Sequence, residues 1–229
     1  MSPTPAGDPL GRRALLLDYG GVLTGPVHRS FARFERQLGI PAGRSFELLV
    51  AASRTAGGGV IGALERGEMT LEAFDASLRD LLEEAGHALD PQVELLAGMF
   101  AAVQPAGRLW ELAATVRGRG VRTGLLSNSW GYGIYPFDRL ERHFDDLVLS
   151  GRVGLRKPDP AIYRLSAERL GVEVEACVFV DDLERNVEVA TELGMVGVHH
   201  SGDDDATRSA VLSALESGPS GQALHGRRR

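Results

Sequence analysis

Six polar residues of the chain have the types and positions that could perform chemistry together. Three carboxylates and one serine–asparagine pair end or directly follow short apolar runs, and one ammonium group lies in the segment "RKPDP". The six are Asp18, Ser127, Asn128, Lys157, Asp181 and Asp182. If they converge, two carboxylates about 4 Å apart repel by roughly 4 kcal/mol at an effective dielectric near 20. Mg²⁺ would relieve this repulsion, because it prefers a few carboxylate oxygens together with water and substrate phosphate.

Lys157 is the only lysine among the 25 lysine and arginine residues of the chain. Such a bias is typical of a genome that replaces lysine with arginine wherever a positive charge alone is needed. A planar guanidinium cannot replace a compact ammonium group in a tight site. The position of Lys157 beside the candidate site therefore favours a chemical role over chance retention.

Five short apolar runs must position these residues. They are "RALLLD", "VRTGLLSN", "DLVLS", "ACVFVDD" and "GMVGVHH", and helical patterns separate the later ones. This alternation predicts an α/β fold, a Rossmann-like parallel sheet sandwiched by helices. The carboxyl ends of parallel strands meet at one edge, where such sheets bind their ligands. The six polar residues are therefore expected at that edge.

The alternation is interrupted over residues 26–104, which contain helix-like stretches and no convincing strand. The pattern predicts an all-helical cap inserted after the first strand, covering the crevice. The α/β core is then expected at 12–25 and 105–202. A flexible tail is expected at 1–11, and a helix followed by a flexible tail at 203–229.

Composition and charge exclude several classes of function. The net charge is −6 and the pI about 5.6, so no basic surface for nucleic acid is expected. No apolar run approaches the roughly 20 residues of a membrane helix, and no signal peptide is visible. The sequence predicts a cytoplasmic protein without a membrane partner. Cys177 lies inside "ACVFV" and is interpreted as a small buried hydrophobic residue.

The segments "DYGGVL", "LLSNS", "RKPDP" and "VDDLERN", in that order, resemble the four motifs of the haloacid dehalogenase superfamily. The resemblance spans about residues 12–200. Further similarity is to the N-terminal phosphatase domain of soluble epoxide hydrolases, through segments such as "LERGEMTLEAF" and "VDDLERNVEVATELGM". It implies a magnesium-dependent phosphohydrolase acting on a small phosphorylated metabolite.

The resemblance also implies a role for each motif residue. Asp18 is the nucleophile and forms an aspartyl-phosphate, while Ser127 and Lys157 are catalytic groups that hold the phosphoryl oxygens. Asn186 braces the acidic loop. The implied metal ligands are Asp18, the Gly20 carbonyl, Asp181 and Asp182. The implied substrate contacts are Gly20, Gly21, Ser127, Asn128 and Lys157.

The sequence departs from the family pattern at Gly20. Most phosphatases of the superfamily carry there an aspartate that acts as general acid and base, a contribution of roughly 10² to 10⁴ in rate. Its absence argues against phosphomutase activity. His28 is the histidine of the predicted cap that is near enough in sequence to replace it. Whether Gly20 would accept a side chain depends on its conformation, because a glycine in a left-handed conformation resists substitution.

Two further segments, one after "LLSNS" and one in the predicted cap, have two interpretations each. Trp130 and Tyr132 either wall the pocket or only pack, and the glycines at 57–59 form either a loop over substrate or a break between helices. Two other functions stay open. One is a metal-independent haloacid dehalogenase, against which the adjacent acids and the missing tyrosine two residues after the nucleophile argue. The other is a non-catalytic binding or regulatory protein.

Overall fold

The computed structural model of the protein describes residues 13–54 and 57–217. The predicted tail at 1–11 and the distal end of the predicted C-terminal tail, 218–229, lie outside these residues. Five strands form one parallel sheet in the order β3-β2-β1-β4-β5, with every neighbouring pair parallel. The strands are β1 (Ala14–Leu17), β2 (Arg122–Ser127), β3 (Asp146–Leu149), β4 (Cys177–Asp181) and β5 (Val196–His199).

Helices cover both faces of the sheet, which confirms the predicted α/β class. Within 26–104, the described residues form five helices, a segment here called the helical insertion: α1 (Val27–Gln37), α2 (Arg44–Ala52), α3 (Gly59–Glu65), α4 (Leu71–Glu84) and α5 (Leu95–Phe100). The others are α6 (Leu109–Arg117), α7 (Phe137–His143), α8 (Ser150–Val153), α9 (Pro160–Leu170), α10 (Glu184–Glu192) and α11 (Asp204–Ser217).

The central strand β1 is buried on both faces, as its continuous apolar sequence requires. Because side chains alternate along a strand, Leu15 and Leu17 join one core with α6, α7 and α11. Ala14 and Leu16 join a second core with α9 and α10 on the opposite face. The sheet is thereby packed against helices on both faces, which fixes the position of its carboxyl edge.

The helical insertion has a separate apolar core that includes Leu49, Phe74 and Leu78. Its described residues contain no strand. Helix α3 was not predicted, because glycine disfavours a helix interior and the run at 57–59 indicated a break or a loop. The structure agrees with a break between helices, because Gly57 and Gly58 lie between α2 and α3. The additional helix α3 begins at Gly59, and packing of Ile61 and Leu64 into the core of the insertion stabilises it.

The two ends of the helical insertion lie side by side at the carboxyl edge of the sheet. Thr24 and Pro105 form an isolated antiparallel bridge, and the Ala106 N–H donates to the Leu23 carbonyl over 3.0 Å. The indole of Trp110 donates to the same carbonyl over 2.8 Å. This junction places the helices against the end of β1. None of the helices over 13–54 and 57–217 has the length and apolar composition that crossing a membrane requires.

Candidate active site

The register of β1 and β4 brings two carboxylates together. Leu17 pairs with Val180, and the Asp18 N–H donates to the Val180 carbonyl over 3.0 Å. Asp18 therefore lies beside Asp181 in the next step of the ladder. The chain leaves β1 toward β2 and later returns on the other side at β4, so this pair marks the point where the strand order reverses. Open parallel sheets bind their ligands at this point.

The ammonium group of Lys157 lies between these two carboxylates. Its Nζ donates to Asp18 Oδ1 over 2.7 Å and to Asp181 Oδ2 over 2.6 Å, and the side chain is only 1% exposed. Burial by itself would lower the pKa of Lys157. The two carboxylates outweigh burial and hold that pKa above its ordinary value, so the group is a permanent cation.

Asp181 is fully buried, and both of its carboxylate oxygens accept hydrogen bonds. Oδ1 accepts from the Leu183 N–H over 2.8 Å and from Asn186 Nδ2 over 3.0 Å. Oδ2 accepts from Lys157 and, over 3.1 Å, from the same Asn186 nitrogen. Asn186 thus braces the acidic loop as the family resemblance implied. These bonds hold the Asp181 carboxylate in one orientation.

The third carboxylate, Asp182, is half-buried beside the other two. One oxygen from each of Asp18, Asp181 and Asp182 lies within 4.8 Å of the others. Burial raises the pKa of Asp18 to about 7 and that of Asp182 to about 6, with Asp181 adding repulsion and Lys157 opposing the rise. The raised pKa values mean that the negative charges of these carboxylates are unfavourable together. Such a group of hard oxygen ligands fits a divalent cation such as Mg²⁺, which would neutralise them.

The two glycines after Asp18 differ in conformation, which decides which of them could accept a side chain. Gly21 has a φ of +78°, in the left-handed region, and a Cβ there would lie 2.2 Å from Asp182 Oδ2. Gly20 does not have a left-handed φ, and its Cβ would meet only Val27 Cγ2, at 3.2 Å. Gly21 is therefore the position that must lack a side chain. The Gly20 carbonyl stays a predicted metal ligand.

Ser127, at the end of β2, is buried and bonded to a tyrosine that the sequence did not single out. The Ser127 hydroxyl and the Tyr135 hydroxyl lie 2.9 Å apart. Burial raises the pKa of Tyr135 above its ordinary value, so its proton is retained. When Tyr135 donates to Ser127, the serine proton is free for another acceptor. An aromatic residue a few positions after "SNS" was the only sequence signal for this pair.

The side chain of Asn128 hydrogen-bonds to protein groups and does not point freely into the site. Its Oδ1 accepts from the Lys157 N–H over 2.8 Å, and its Nδ2 donates to the Lys157 carbonyl over 3.0 Å. Nδ2 also donates over 3.2 Å to Glu65, a residue of α3 without a predicted role. The side chain is thus bound within the protein. The main-chain N–H is the group left for the predicted substrate contact.

A cavity of about 740 Å³ opens between the sheet edge and the helical insertion. Asp18, Ser127, Lys157 and Asp182 line its polar end. Trp130 is one of its walls, as one of the two sequence interpretations had it. Tyr132 is 40% exposed and is not among the lining residues. The other lining groups include His28, Phe31, Phe46, Ile61, Phe100 and Tyr135.

The sequence profile of the haloacid dehalogenase-like hydrolases matches residues 12–194. The chain belongs to this family. This haloacid dehalogenase-like hydrolase is 29% identical over 212 residues to bifunctional epoxide hydrolase 2 of Sus scrofa; the match covers 86% of the chain and 38% of the pig protein. The chain thus corresponds to well under half of that relative's length. It is 33% identical over 153 residues to a phosphatase of Mycobacterium tuberculosis, with 64% of the chain and 68% of the relative covered.

Solved structures of the family share the fold of this haloacid dehalogenase-like hydrolase. A family enzyme from Bacteroides thetaiotaomicron, in complex with magnesium and inorganic phosphate, superimposes with a TM-score of 0.64 at 22% identity. The match covers 84% of the chain and 96% of that enzyme. A HAD-like hydrolase from Porphyromonas gingivalis superimposes with a TM-score of 0.63 at 21% identity, covering 88% and 97% of the two chains. The predicted family and fold are both confirmed.

Proposed function

We propose that this hydrolase is a magnesium-dependent phosphohydrolase that acts on small phosphorylated metabolites. The observation that carries the proposal is the arrangement of Asp18, Asp181 and Asp182 around the Lys157 ammonium at the floor of the cavity. Three acidic groups and one fixed cation leave an excess of negative charge, which suits a metal ion together with a phosphate group. The similarity to a phosphatase supports the same reaction class.

The proposed reaction has two displacement steps at phosphorus. A carboxylate oxygen of Asp18 attacks the phosphorus, and the bond to the leaving oxygen breaks with its electron pair on that oxygen. Water then attacks the phosphorus of the aspartyl-phosphate, which releases inorganic phosphate and the Asp18 carboxylate. Asp18 suits this role because it is only 8% exposed yet lines the cavity.

The surrounding residues position the phosphate and balance its charge. Lys157 neutralises part of the charge that Asp18 and a phosphoryl group would share, without losing its proton. Ser127 can donate its proton to a phosphoryl oxygen while it accepts a hydrogen bond from Tyr135. These donors are fixed by buried contacts before substrate binds, so little reorganisation is needed during the reaction.

The residues that would hold Mg²⁺ are Asp18, Asp182 and the Gly20 carbonyl. Asp181 suits a contact through water better than a direct one, because its oxygens already accept four hydrogen bonds. A bound Mg²⁺ supplies Lewis-acid stabilisation of the charge on the phosphoryl oxygens. Among the described residues, no side-chain hydrogen bond to the Asp182 carboxylate is formed, so its oxygens can bind the metal directly. Gly21 leaves room for this carboxylate.

The test of the proposed function compares two products of hydrolysis. With Mg²⁺ present, the full chain is expected to release inorganic phosphate from members of a panel of phosphate monoesters and no halide from 2-haloacids. Adjacent carboxylates favour this outcome, because a dehalogenase attacks carbon without a metal that would neutralise them. Halide release would instead establish the dehalogenase. Release of neither product across a broad panel would favour a non-catalytic protein.

Gly20 leads to a prediction about the leaving group. Without an acid at this position, expulsion of the leaving oxygen has little proton assistance. A plot of log(kcat/KM) against leaving-group pKa is therefore expected to have a steep negative slope, so that aryl and acyl phosphates outrun alkyl esters. Gly20→Asp is expected to accelerate the slow alkyl esters by up to about 10²-fold and to flatten the slope.

The structure supplies the control for this substitution. A Cβ added at Gly20 would meet only Val27 Cγ2, at 3.2 Å, whereas Gly21→Ala would displace the Asp182 carboxylate. Gly20→Asp should thus fold and Gly21→Ala should lose activity toward every ester. A flat slope for the native protein would contradict the prediction, and His28→Ala would then test whether His28 supplies the proton.

A further inference from the structure

Glu65 is a buried carboxylate of the helical insertion whose hydrogen bonds and ion pair, among the described residues, are all with groups beyond the insertion. It lies at the end of α3, and its side chain is 8% exposed. Oε1 accepts from the indole of Trp130 over 2.8 Å. Oε2 lies 2.5 Å from Arg156 Nε in an ion pair and accepts from Asn128 Nδ2 over 3.2 Å. Asn128 and Trp130 lie just after Ser127 in the chain, and Arg156 directly precedes Lys157.

The contact with Asn128 has a consequence for the proposed catalytic lysine. The Asn128 side chain hydrogen-bonds to both the N–H and the carbonyl of the Lys157 main chain, over 2.8 and 3.0 Å. Its amide must hold one orientation to do so, because oxygen and nitrogen would otherwise face the wrong partners. The Glu65 carboxylate accepts only from the nitrogen. It therefore selects the orientation that makes both bonds to Lys157.

We infer that Glu65 is a positioning residue that couples docking of the helical insertion to the placement of Lys157 through Asn128. When α3 is seated on the core, the Asn128 amide gains its third partner and the Lys157 main chain is clamped. When α3 lifts away, the amide is free to rotate and the clamp weakens. The lysine is thus held at Asp18 and Asp181 most firmly when the insertion covers the cavity.

The readout of this clamp is the hydrogen exchange rate of the Lys157 amide. Because Lys157 is the only lysine, the full chain labelled with ¹⁵N-lysine has one backbone lysine signal. Glu65→Gln replaces a carboxylate that only accepts hydrogen bonds with an amide that can also donate. Because this weakens the selection of one Asn128 orientation, part of the Asn128 hydrogen bonding to Lys157 is lost. The exchange rate of the Lys157 amide is therefore expected to rise about tenfold. This readout needs no substrate and tests the clamp even if the proposed function is wrong.

Glu35→Gln is the matched control. Glu35 is a fully buried glutamate of the helical insertion, but it accepts from the N–H groups of Gly43 and Ser45, at 2.5 and 2.7 Å, within the insertion itself. Its replacement is expected to lower the thermal stability of the insertion without changing the exchange rate of the Lys157 amide. A merely structural role of Glu65 would make the two variants behave alike.

The kinetic test rests on the proposed function. Glu65→Gln is expected to lower kcat about tenfold with little change in KM, the loss typical of one charged hydrogen-bond partner. The double variant Glu65→Gln/Asn128→Ala should be no slower than Asn128→Ala alone, because Glu65 acts through Asn128. If Glu65→Gln does not fold, Glu65→Asp retains the charge but withdraws the carboxylate by one methylene and should raise exchange in the same way. Unchanged Lys157 exchange or additive losses would overturn the inference.

Discussion

Asp18→Asn is expected to lower kcat for hydrolysis of a reactive phosphate ester by at least roughly 10⁴-fold, the order of loss when a covalent nucleophile is removed. The amide has nearly the same shape as the carboxylate but cannot attack phosphorus. Lys157 retains Asp181 as its second partner, so the fold should persist. The measurement is single-turnover kinetics with acid quenching, in which the native protein accumulates a phosphorylated species and the variant does not.

Asp138→Asn is a suitable control for this substitution. Asp138 is an exposed aspartate in the first turn of α7, and it does not line the cavity. The Asp138→Asn variant should retain the turnover rate of the native protein. Mass spectrometry of Asp18→Asn must accompany the assay, because deamidation would restore the native residue. A variant that is intact by mass and still turns over at the native rate would exclude Asp18 as the nucleophile.

Removal of divalent metal is expected to lower the hydrolysis rate at least about a hundredfold, because Lewis-acid stabilisation contributes several kcal/mol to the transition state. Excess chelator should abolish activity, and Mg²⁺ added beyond the chelator should restore it. Isothermal titration calorimetry of the metal-free protein measures Mg²⁺ binding independently of catalysis. The same titration should yield one site per chain.

Asp182→Asn distinguishes this metal site from a general effect of salt. The variant removes one charged ligand, so the Mg²⁺ concentration that restores half of the activity should rise at least about tenfold. Asp138→Asn should leave that concentration unchanged. Full activity in excess chelator would contradict the metal site and favour the dehalogenase. The proposed role of the Asp18, Asp181 and Asp182 cluster would then be wrong.

Much of the site follows from the sequence, because local patterns set the strands. Each of the five apolar runs that the sequence indicated as strands forms one of the five strands of the sheet. Once the sheet is parallel, the residues after β1 and β4 must meet at one edge, so the proximity of Asp18 to Asp181 was predictable. The scarcity of lysine likewise indicated Lys157, which lies between these two carboxylates.

Only the tertiary structure decided which residues support these groups. The bond between Glu65 and Asn128 spans 63 positions of sequence, and the Asn128 bonds to Lys157 span 29. Such contacts depend on how α3 docks on the core, which no local periodicity encodes. The conformations of Gly20 and Gly21 were equally hidden, because either glycine can adopt a left-handed φ and only the folded loop shows that Gly21 does. The sequence thus determined the reacting groups, and tertiary packing determined how they are held.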